Sequence, residues 1–175
     1  ISGRASRHYV LRRELIEQVK KDKLLKNHST ILSHPGYAKN GESLSHNIIS
    51  RNYYNLVSRS IASVVTSAEK PLDYPVFKYF ETPACGTLMI AENIPSLAGL
   101  GFFPGKHFID INNTNIRSIF RFVLSKHNDN KIYNIKNNAL NLIRDKHSSK
   151  NRAEQVIRVL KENKVFHWND KLITI

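Results

Sequence analysis

Three short apolar segments alternate with stretches of helical character, and this alternation constrains the fold most strongly. The segments are IASVVT (61–66), TLMIA (87–91) and HFIDI (107–111). Each is apolar and bounded by turn residues or polar residues, which is typical of buried strands. The intervals between them leave room for crossover helices. We therefore expect a parallel sheet covered on both faces, in an α/β fold.

Helices and further strands are predicted between and around these segments. Apolar residues recur at helical spacing within 6–21, where Ser6 can cap the helix. Further helices are predicted at 48–58, at 75–84 and, in two or three pieces, across 115–164, with short strands at 1–3 and 30–33 and a short C-terminal tail. Right-handed crossovers then give a doubly wound, Rossmann-like sheet.

Sheets of this class bind ligands at the carboxyl ends of their strands, where the strand order switches. The loops at those ends are predicted to be 3–9, 33–38, 67–78 and 92–97. This positional expectation does not depend on the family to which the chain belongs.

Composition favours one globular domain covering residues 1–175, with 41% hydrophobic and 23% charged residues. No apolar run approaches the ~20 residues of a membrane-spanning helix.

A single cysteine excludes an intrachain disulfide, and no histidine or cysteine spacing indicates a metal site. We expect a reducing, cytoplasmic location. Because the chain begins at Ile1 rather than at a methionine, we also expect it to be a fragment of a larger multidomain protein.

The formal net charge of +13 indicates an anionic partner. Nucleic acid, a phosphorylated small molecule and an anionic membrane surface all remain open on this ground. The basic residues are spread along the chain, and their modest cluster at 20–26 is also compatible with a solvated surface.

Two turn regions are candidates for ligand binding. In SGRASRHYVLRREL, Gly3 and Arg4 lie between a strand end and a helix, which could form an anion site or a capped surface helix with solvated arginines. In ILSHPGY, residues His34, Gly36 and Tyr37 could cradle a flat ring, or could form a plain Pro-Gly turn.

The stretch FKYFETPACGTLMIAE is the third candidate. Lys78 and Glu81 are three residues apart on a predicted helix and therefore face the same way. A carboxylate there could accept hydrogen bonds from two ribose hydroxyls, and the lysine could meet a phosphate. The alternative is a surface salt bridge between these two residues. Cys85 has no base placed near it by the sequence and is interpreted as a small packing residue.

The segment KYFETPACGTLMIAENIPSLAGLGFFPGKHFIDI resembles the donor-binding, C-terminal domain of GT-B glycosyltransferases, in particular the family-1-type domain of CgeB-like proteins. NALNLIRDKHSSKNRAEQVIRVL is similar to the last helices of that group. SGRASRHYVLRREL and HPGY are similar to its opening strand and base-side loop. The resemblance spans most of the chain and implies a single GT-B half-domain with C-terminal helices.

The resemblance implies a glycosyltransferase of the hexosyl or deoxyhexosyl class that uses a UDP- or GDP-linked sugar without a metal or other cofactor. Glu81 would hold the ribose, and Lys78, Arg4 and Arg12 would meet the diphosphate. The loop from His34 to Tyr37 would lie beside the nucleobase. The glycan acceptor would be held by another domain of the parent chain.

The resemblance does not identify a catalytic base. Asp73, eight residues before Glu81, is the one candidate, and it could face the sugar or simply begin the loop. The sequence leaves two alternative functions open: a basic nucleic-acid-binding α/β module, and a catalytically inert nucleotide-binding domain. The first would show steeply salt-dependent binding to DNA or RNA.

Overall fold

The computed structural model of the 175-residue chain describes residues 1, 8–32, 50–67, 74–112, 114–162, 166–168 and 171–173. Six of the candidate site residues lie outside these ranges: Gly3, Arg4, His34, Gly36, Tyr37 and Asp73.

The centre of the described structure is a parallel three-stranded sheet. Its strands are β1 (Ala62–Val65), β2 (Leu88–Ala91) and β3 (Ile109–Asp110), in the order β1-β2-β3. Val64 pairs with Ile90, and Ile90 pairs with Ile109, so one layer of apolar residues crosses the sheet. All four residues of β2 are buried, as expected for a strand covered on both faces. The mixed α/β architecture predicted from the sequence is confirmed.

Helices account for most of the remaining described residues. They are α1 (Val10–Lys21), α2 (Lys23–Asn27), α3 (Ser50–Ser58), α4 (Lys78–Ala84), α5 (Ser96–Gly99), α6 (Ile116–Leu124), α7 (Asp129–Leu142) and α8 (Ser149–Lys161). A 3-10 turn (Lys126–Asn128) precedes α7, and a π-helical turn (Ile143–His147) follows it. The predicted tail contains an antiparallel pair, β4 (Phe166–Trp168) and β5 (Lys171–Ile173).

The two faces of the sheet have separate cores. On one face, Val65, Met89 and Ala91 pack in a cluster with residues of α4, α5 and the segments that follow: Tyr79, Leu97, Phe102, Phe108 and Ile143. On the other face, Val64 and Ile90 pack with residues of α1, α2 and α6: Leu15, Val19, Leu25, Ile116 and Ile119. Because successive strand residues point to opposite faces, neighbouring residues such as Val64 and Val65 join different cores. Helices therefore cover both faces, which is the Rossmann-like arrangement.

Burial of these side chains provides most of the stabilisation of the sheet. Leu97, Leu88 and Phe108 are fully buried, and each such side chain contributes about 1.5–3 kcal/mol.

Two predicted helix starts were wrong. α1 begins at Val10 rather than at Ser6, since the first bond of its helical ladder runs from Arg13 N–H to the Tyr9 carbonyl. Tyr9 occupies the N-cap position and makes no side-chain capping bond, while Ser6 lies outside the described residues. α4 begins at Lys78 rather than at Pro75, because the preceding residues form a tighter turn in which Tyr79 N–H bonds to the Val76 carbonyl.

The remaining predicted boundaries that fall on described residues hold within a few residues, whereas the boundaries at residues 3, 33, 48 and 164 lie outside the described ranges. The end of α4 near Gly86 is confirmed, and this glycine has a φ of 67°, a backbone conformation that favours glycine after a helix. β3 is shorter than the predicted 107–111, because His107 belongs to a turn and Phe108 forms only an isolated bridge with Pro104. In the predicted strand 30–33, Leu32 forms a bridge and donates its N–H to the Ile1 carbonyl.

No helix within the described ranges has the length and apolar character needed to cross a membrane.

Candidate functional site

Polar side chains gather at the carboxyl ends of the three parallel strands. Thr66 and Ser67 follow β1, Glu92 follows β2, and Asn112 closes the end of β3. Asn112 accepts a hydrogen bond from Asn93 N–H and donates one to the Asn93 carbonyl, so its side chain ties the ends of β2 and β3 together. This is the edge at which the sequence predicts a ligand site.

Arg12 reaches this edge from α1 and is only 5% exposed. Its Nε donates to Thr66 Oγ1 at 3.0 Å and its Nη2 donates to the Thr66 carbonyl at 3.0 Å. The guanidinium also lies 4.1 Å from the centroid of the Tyr9 ring, within the range of a cation–π interaction. Burial lowers the pKa of Arg12 from its ordinary value, and nearby Tyr9, Tyr79 and Glu92 oppose that shift. Arg12 therefore places a buried positive charge beside the end of β1.

Glu92 fixes the start of the loop that follows β1. Its Oε2 accepts the backbone N–H of Ser67 at 2.8 Å, and Ser67 Oγ donates to the Tyr74 carbonyl at 2.8 Å. The Tyr79 hydroxyl donates to the Glu92 carbonyl at 2.9 Å. These bonds join the ends of β1 and β2 to the two sides of the loop that leads into α4.

Lys78, the first residue of α4, is half-buried near this cluster. Its pKa is lowered to about 8, mainly because burial penalises the ammonium group and also because the Arg12 charge repels it. Glu81 opposes this shift and draws the pKa of Lys78 upward. Two cations, Arg12 and Lys78, are thus close enough to repel each other, which is the situation that a bound anion relieves.

Glu81 lies on the same helix but does not form the alternative salt bridge with Lys78. Its Oε1 accepts a hydrogen bond of 2.9 Å from the hydroxyl of Tyr54 on α3. The two residues of α4 therefore interact through charge while Glu81 is held by a different helix.

The structure places three of the sequence-predicted site residues together: Arg12, Lys78 and Glu81. The other predicted site residues, together with Asp73, fall in the undescribed segments, so their roles stay predictions.

Sequence reasoning missed several residues of this site, above all Tyr54, Thr66 and Glu92. Thr66 and Glu92 directly follow or end predicted strands, and this position in an α/β sheet was a usable signal. Tyr54 had no such signal, because its partner Glu81 is 27 residues away along the chain.

Cys85, interpreted from the sequence as a packing residue, is half-buried at the end of α4. Burial and the nearby Glu81 carboxylate both raise the pKa of the Cys85 thiol, so the protonated form prevails at neutral pH. Within the described residues, no group of three or more histidine, cysteine, aspartate or glutamate side chains is arranged to hold a metal ion.

A cavity with a volume of about 220 Å³ lies away from these polar groups. Its lining is mainly apolar and comes from the first half of β1, from α6 and from residues 28–32, including Ile61, Ala62, Phe120 and Val123. Of the predicted site residues that the structure describes, Arg12, Lys78 and Glu81 do not line it. The chemistry points to the carboxyl edge of the sheet instead, since the charged and hydrogen-bonding groups converge there.

Comparison with known proteins assigns the chain to a family. A family model described as glycosyl transferase-like matches residues 7–158, which is most of the 175-residue chain. A search of curated proteins gave no match. The matched region contains the parallel sheet, both cores and the polar groups at the carboxyl ends of the strands. The chain belongs to the glycosyl transferase-like family and forms a glycosyltransferase domain.

Proposed function

We propose that the carboxyl edge of the sheet binds the nucleoside diphosphate of a UDP- or GDP-linked sugar, as the donor half of a GT-B glycosyltransferase. The observation that carries this proposal is the convergence of Arg12, Lys78 and Glu81. Two partly desolvated cations favour a dianionic diphosphate. A carboxylate on the same helix suits a pair of ribose hydroxyls.

The proposed role of this site in catalysis is to stabilise the nucleoside diphosphate as the leaving group. As the bond between the sugar's anomeric carbon and the terminal phosphate oxygen breaks, its electron pair passes to that oxygen. The acceptor hydroxyl forms the new bond to the anomeric carbon and loses its proton. Arg12 and Lys78 stabilise the charge that grows on the diphosphate more than they stabilise the intact donor, which lowers the barrier.

In this proposal the transfer is metal-independent, because the two side-chain cations supply the positive charge that the departing diphosphate needs. The acceptor is a glycan held by another domain of the parent chain, and the group that takes up its proton is not assigned. Burial of Arg12 supports an electrostatic role for its charge, whereas Lys78, at the more accessible end of the cluster, is the residue proposed to contact phosphate directly.

The test is a thermal-shift titration of the chain with UDP, GDP and ADP, for the native sequence and for Glu81→Ala. We expect UDP or GDP to raise the melting temperature in a saturable way, by mass action on the folded state, with ADP as the comparison. Glu81→Ala should shift the titration to higher nucleotide concentration. Absence of a response to both UDP and GDP would remove the proposed function.

A further inference from the structure

We infer that Tyr54 is a positioning residue, which orients the Glu81 carboxylate so that it can accept a vicinal diol such as the 2′ and 3′ hydroxyls of a ribose. This inference deepens the proposed function and rests on it. It adds a residue from a different helix, α3, to a site otherwise formed by α1, α4 and the strand ends.

The contact itself is specific. The Tyr54 hydroxyl donates to Glu81 Oε1 at 2.9 Å, well within hydrogen-bonding distance. Tyr54 is 43% exposed and Glu81 is half-buried, so the pair lies at the surface and is not enclosed in the core. Core packing does not require a bond between two such residues, and an open position leaves the carboxylate accessible to a ligand.

The bond leaves acceptor capacity on the carboxylate. An ionised carboxylate has about four acceptor positions on its two oxygens. Among the residues that the structure describes, Tyr54 is the only hydrogen-bond partner of the Glu81 side chain. With Oε1 held by the phenol, rotation of the carboxylate is restricted and Oε2 remains for ligand hydroxyls.

The phenol keeps its proton at neutral pH and therefore remains a donor. The hydrogen bond to Glu81 raises the pKa of Tyr54, and the negative charge of that carboxylate raises it further. The direction of the bond, from the phenol to the carboxylate, is thus maintained over the pH range in which a nucleotide would bind.

Hydrogen bonds hold the end of α3, the helix that carries Tyr54. The Thr87 hydroxyl, which is buried beside β2, donates to the Val57 carbonyl at 2.7 Å. Ser60 Oγ donates to the Leu56 carbonyl at 2.8 Å and helps to terminate the same helix. Tyr53, the neighbour of Tyr54, has its ring centroid 5.5 Å from the Tyr54 ring in an edge-on arrangement. The phenol is therefore carried by a helix whose end is fixed to the sheet.

The experiment compares Tyr54→Phe with Tyr133→Phe, a matched change at a 63% exposed tyrosine on α7. Isothermal titration calorimetry measures binding of UDP and GDP and of their 2′,3′-dideoxy counterparts. For the nucleotide that binds, Tyr54→Phe should weaken the ribose form by about threefold to tenfold, as expected for one lost hydrogen bond. Binding of the dideoxy form should be unchanged, and Tyr133→Phe should change neither.

A second comparison uses the Glu81→Gln variant with and without Tyr54→Phe. In the Glu81→Gln variant, adding Tyr54→Phe should reduce nucleotide affinity little further, because the phenol acts through the carboxylate. Equal weakening of the ribose and dideoxy forms would show a general structural role and overturn the inference, as would unchanged binding of the ribose form. If the native chain binds neither nucleotide, the proposed function fails and this inference fails with it. If the native chain binds but Tyr54→Phe has no effect, only the inference fails.

Discussion

At the scale of single residues, the site is defined by charges that are partly removed from water. Arg12 is buried, yet it retains two hydrogen bonds to Thr66 and a tyrosine ring beneath its guanidinium. Lys78 is repelled by that charge and relieved by Glu81. Ionisable groups whose pKa values are strongly perturbed are concentrated at functional sites, which supports a ligand-binding role for this edge of the sheet.

We expect Arg12→Lys to lower the free energy of unfolding by about 1–3 kcal/mol, because an ammonium cannot reproduce both bonds of the guanidinium fork. Urea unfolding measures this change. Arg13→Lys is the control, since Arg13 is exposed on the same helix, and it should alter stability little. Equal stability of the native chain and of Arg12→Lys would contradict the structural role assigned to the two bonds with Thr66.

Lys78 gives a pH dependence for nucleotide binding. Its pKa of about 8 means that the ammonium form, which attracts phosphate, is present at pH 7 and lost as the pH rises through about 8. Nucleotide affinity should therefore fall by about tenfold between pH 7 and pH 9. Lys78→Arg should stay charged and retain its affinity over that range. Calorimetric titrations at several pH values measure this effect, and a flat profile for the native chain would exclude Lys78 from the anion site.

At the scale of elements, α4 is positioned by the segment after α7 as well as by the sheet. The π-helical turn places the His147 ring parallel to Phe102, with centroids 5.5 Å apart, and edge-on to Phe80 on α4 at 5.3 Å. His147 Nε2–H donates to the Leu100 carbonyl at 2.8 Å, and Arg152 on α8 donates to Nδ1 at 2.7 Å. The bond from Arg152 requires the neutral ring, because Nδ1 can accept only when it carries no proton.

Stability should therefore fall in mild acid. Burial lowers the pKa of His147 below the ordinary 6.5; the hydrogen bond to the Leu100 carbonyl opposes this shift, and the charges of Arg152 and Lys146 reinforce it. The unfolded chain then takes up a proton near pH 6.5 while the folded ring resists it. The free energy of unfolding consequently decreases as the pH falls below 6.5, and levels off below the folded pKa.

Urea unfolding between pH 7.5 and pH 5 tests this expectation. His147→Gln should reduce the slope of the unfolding free energy against pH by the equivalent of up to one proton. The glutamine amide can still donate and accept hydrogen bonds, but it does not titrate. His107, whose pKa is also lowered by burial, remains in both proteins and contributes equally. His127→Gln, at an exposed position, serves as the control. An unchanged slope in His147→Gln would contradict the neutral-ring arrangement.

Elements were predictable from the sequence where local pattern determines structure. The strands IASVVT and TLMIA are continuous apolar segments, and α1 has a clear apolar stripe, so their existence followed from periodicity. Helix starts were less predictable, because the residues before α1 and α4 form turns set by backbone bonds rather than by a capping side chain. The contacts Arg12–Thr66 and Tyr54–Glu81 connect residues 54 and 27 positions apart, and no local pattern encodes such pairs.

At the scale of the whole molecule, the net charge of +13 combines exposed charges and partly buried charges, which act differently on an anionic partner. Exposed lysines and arginines attract any polyanion, but solvent and salt screen such charges within about 10 Å. The buried Arg12 and half-buried Lys78 are screened less and concentrate positive potential at one edge of the sheet. Membership of the glycosyl transferase-like family favours a small phosphorylated ligand over nucleic acid as the partner of that edge.

The central claim is that this edge, and not the apolar cavity near Phe120, is where the nucleotide binds. A crystal structure of the chain with the nucleotide that stabilises it tests the claim most directly. We expect the diphosphate to lie beside Lys78 and Arg12, with the ribose hydroxyls at Glu81. Nucleotide density in the cavity lined by Ile61, Phe120 and Val123, or elsewhere with the edge of the sheet empty, would contradict it.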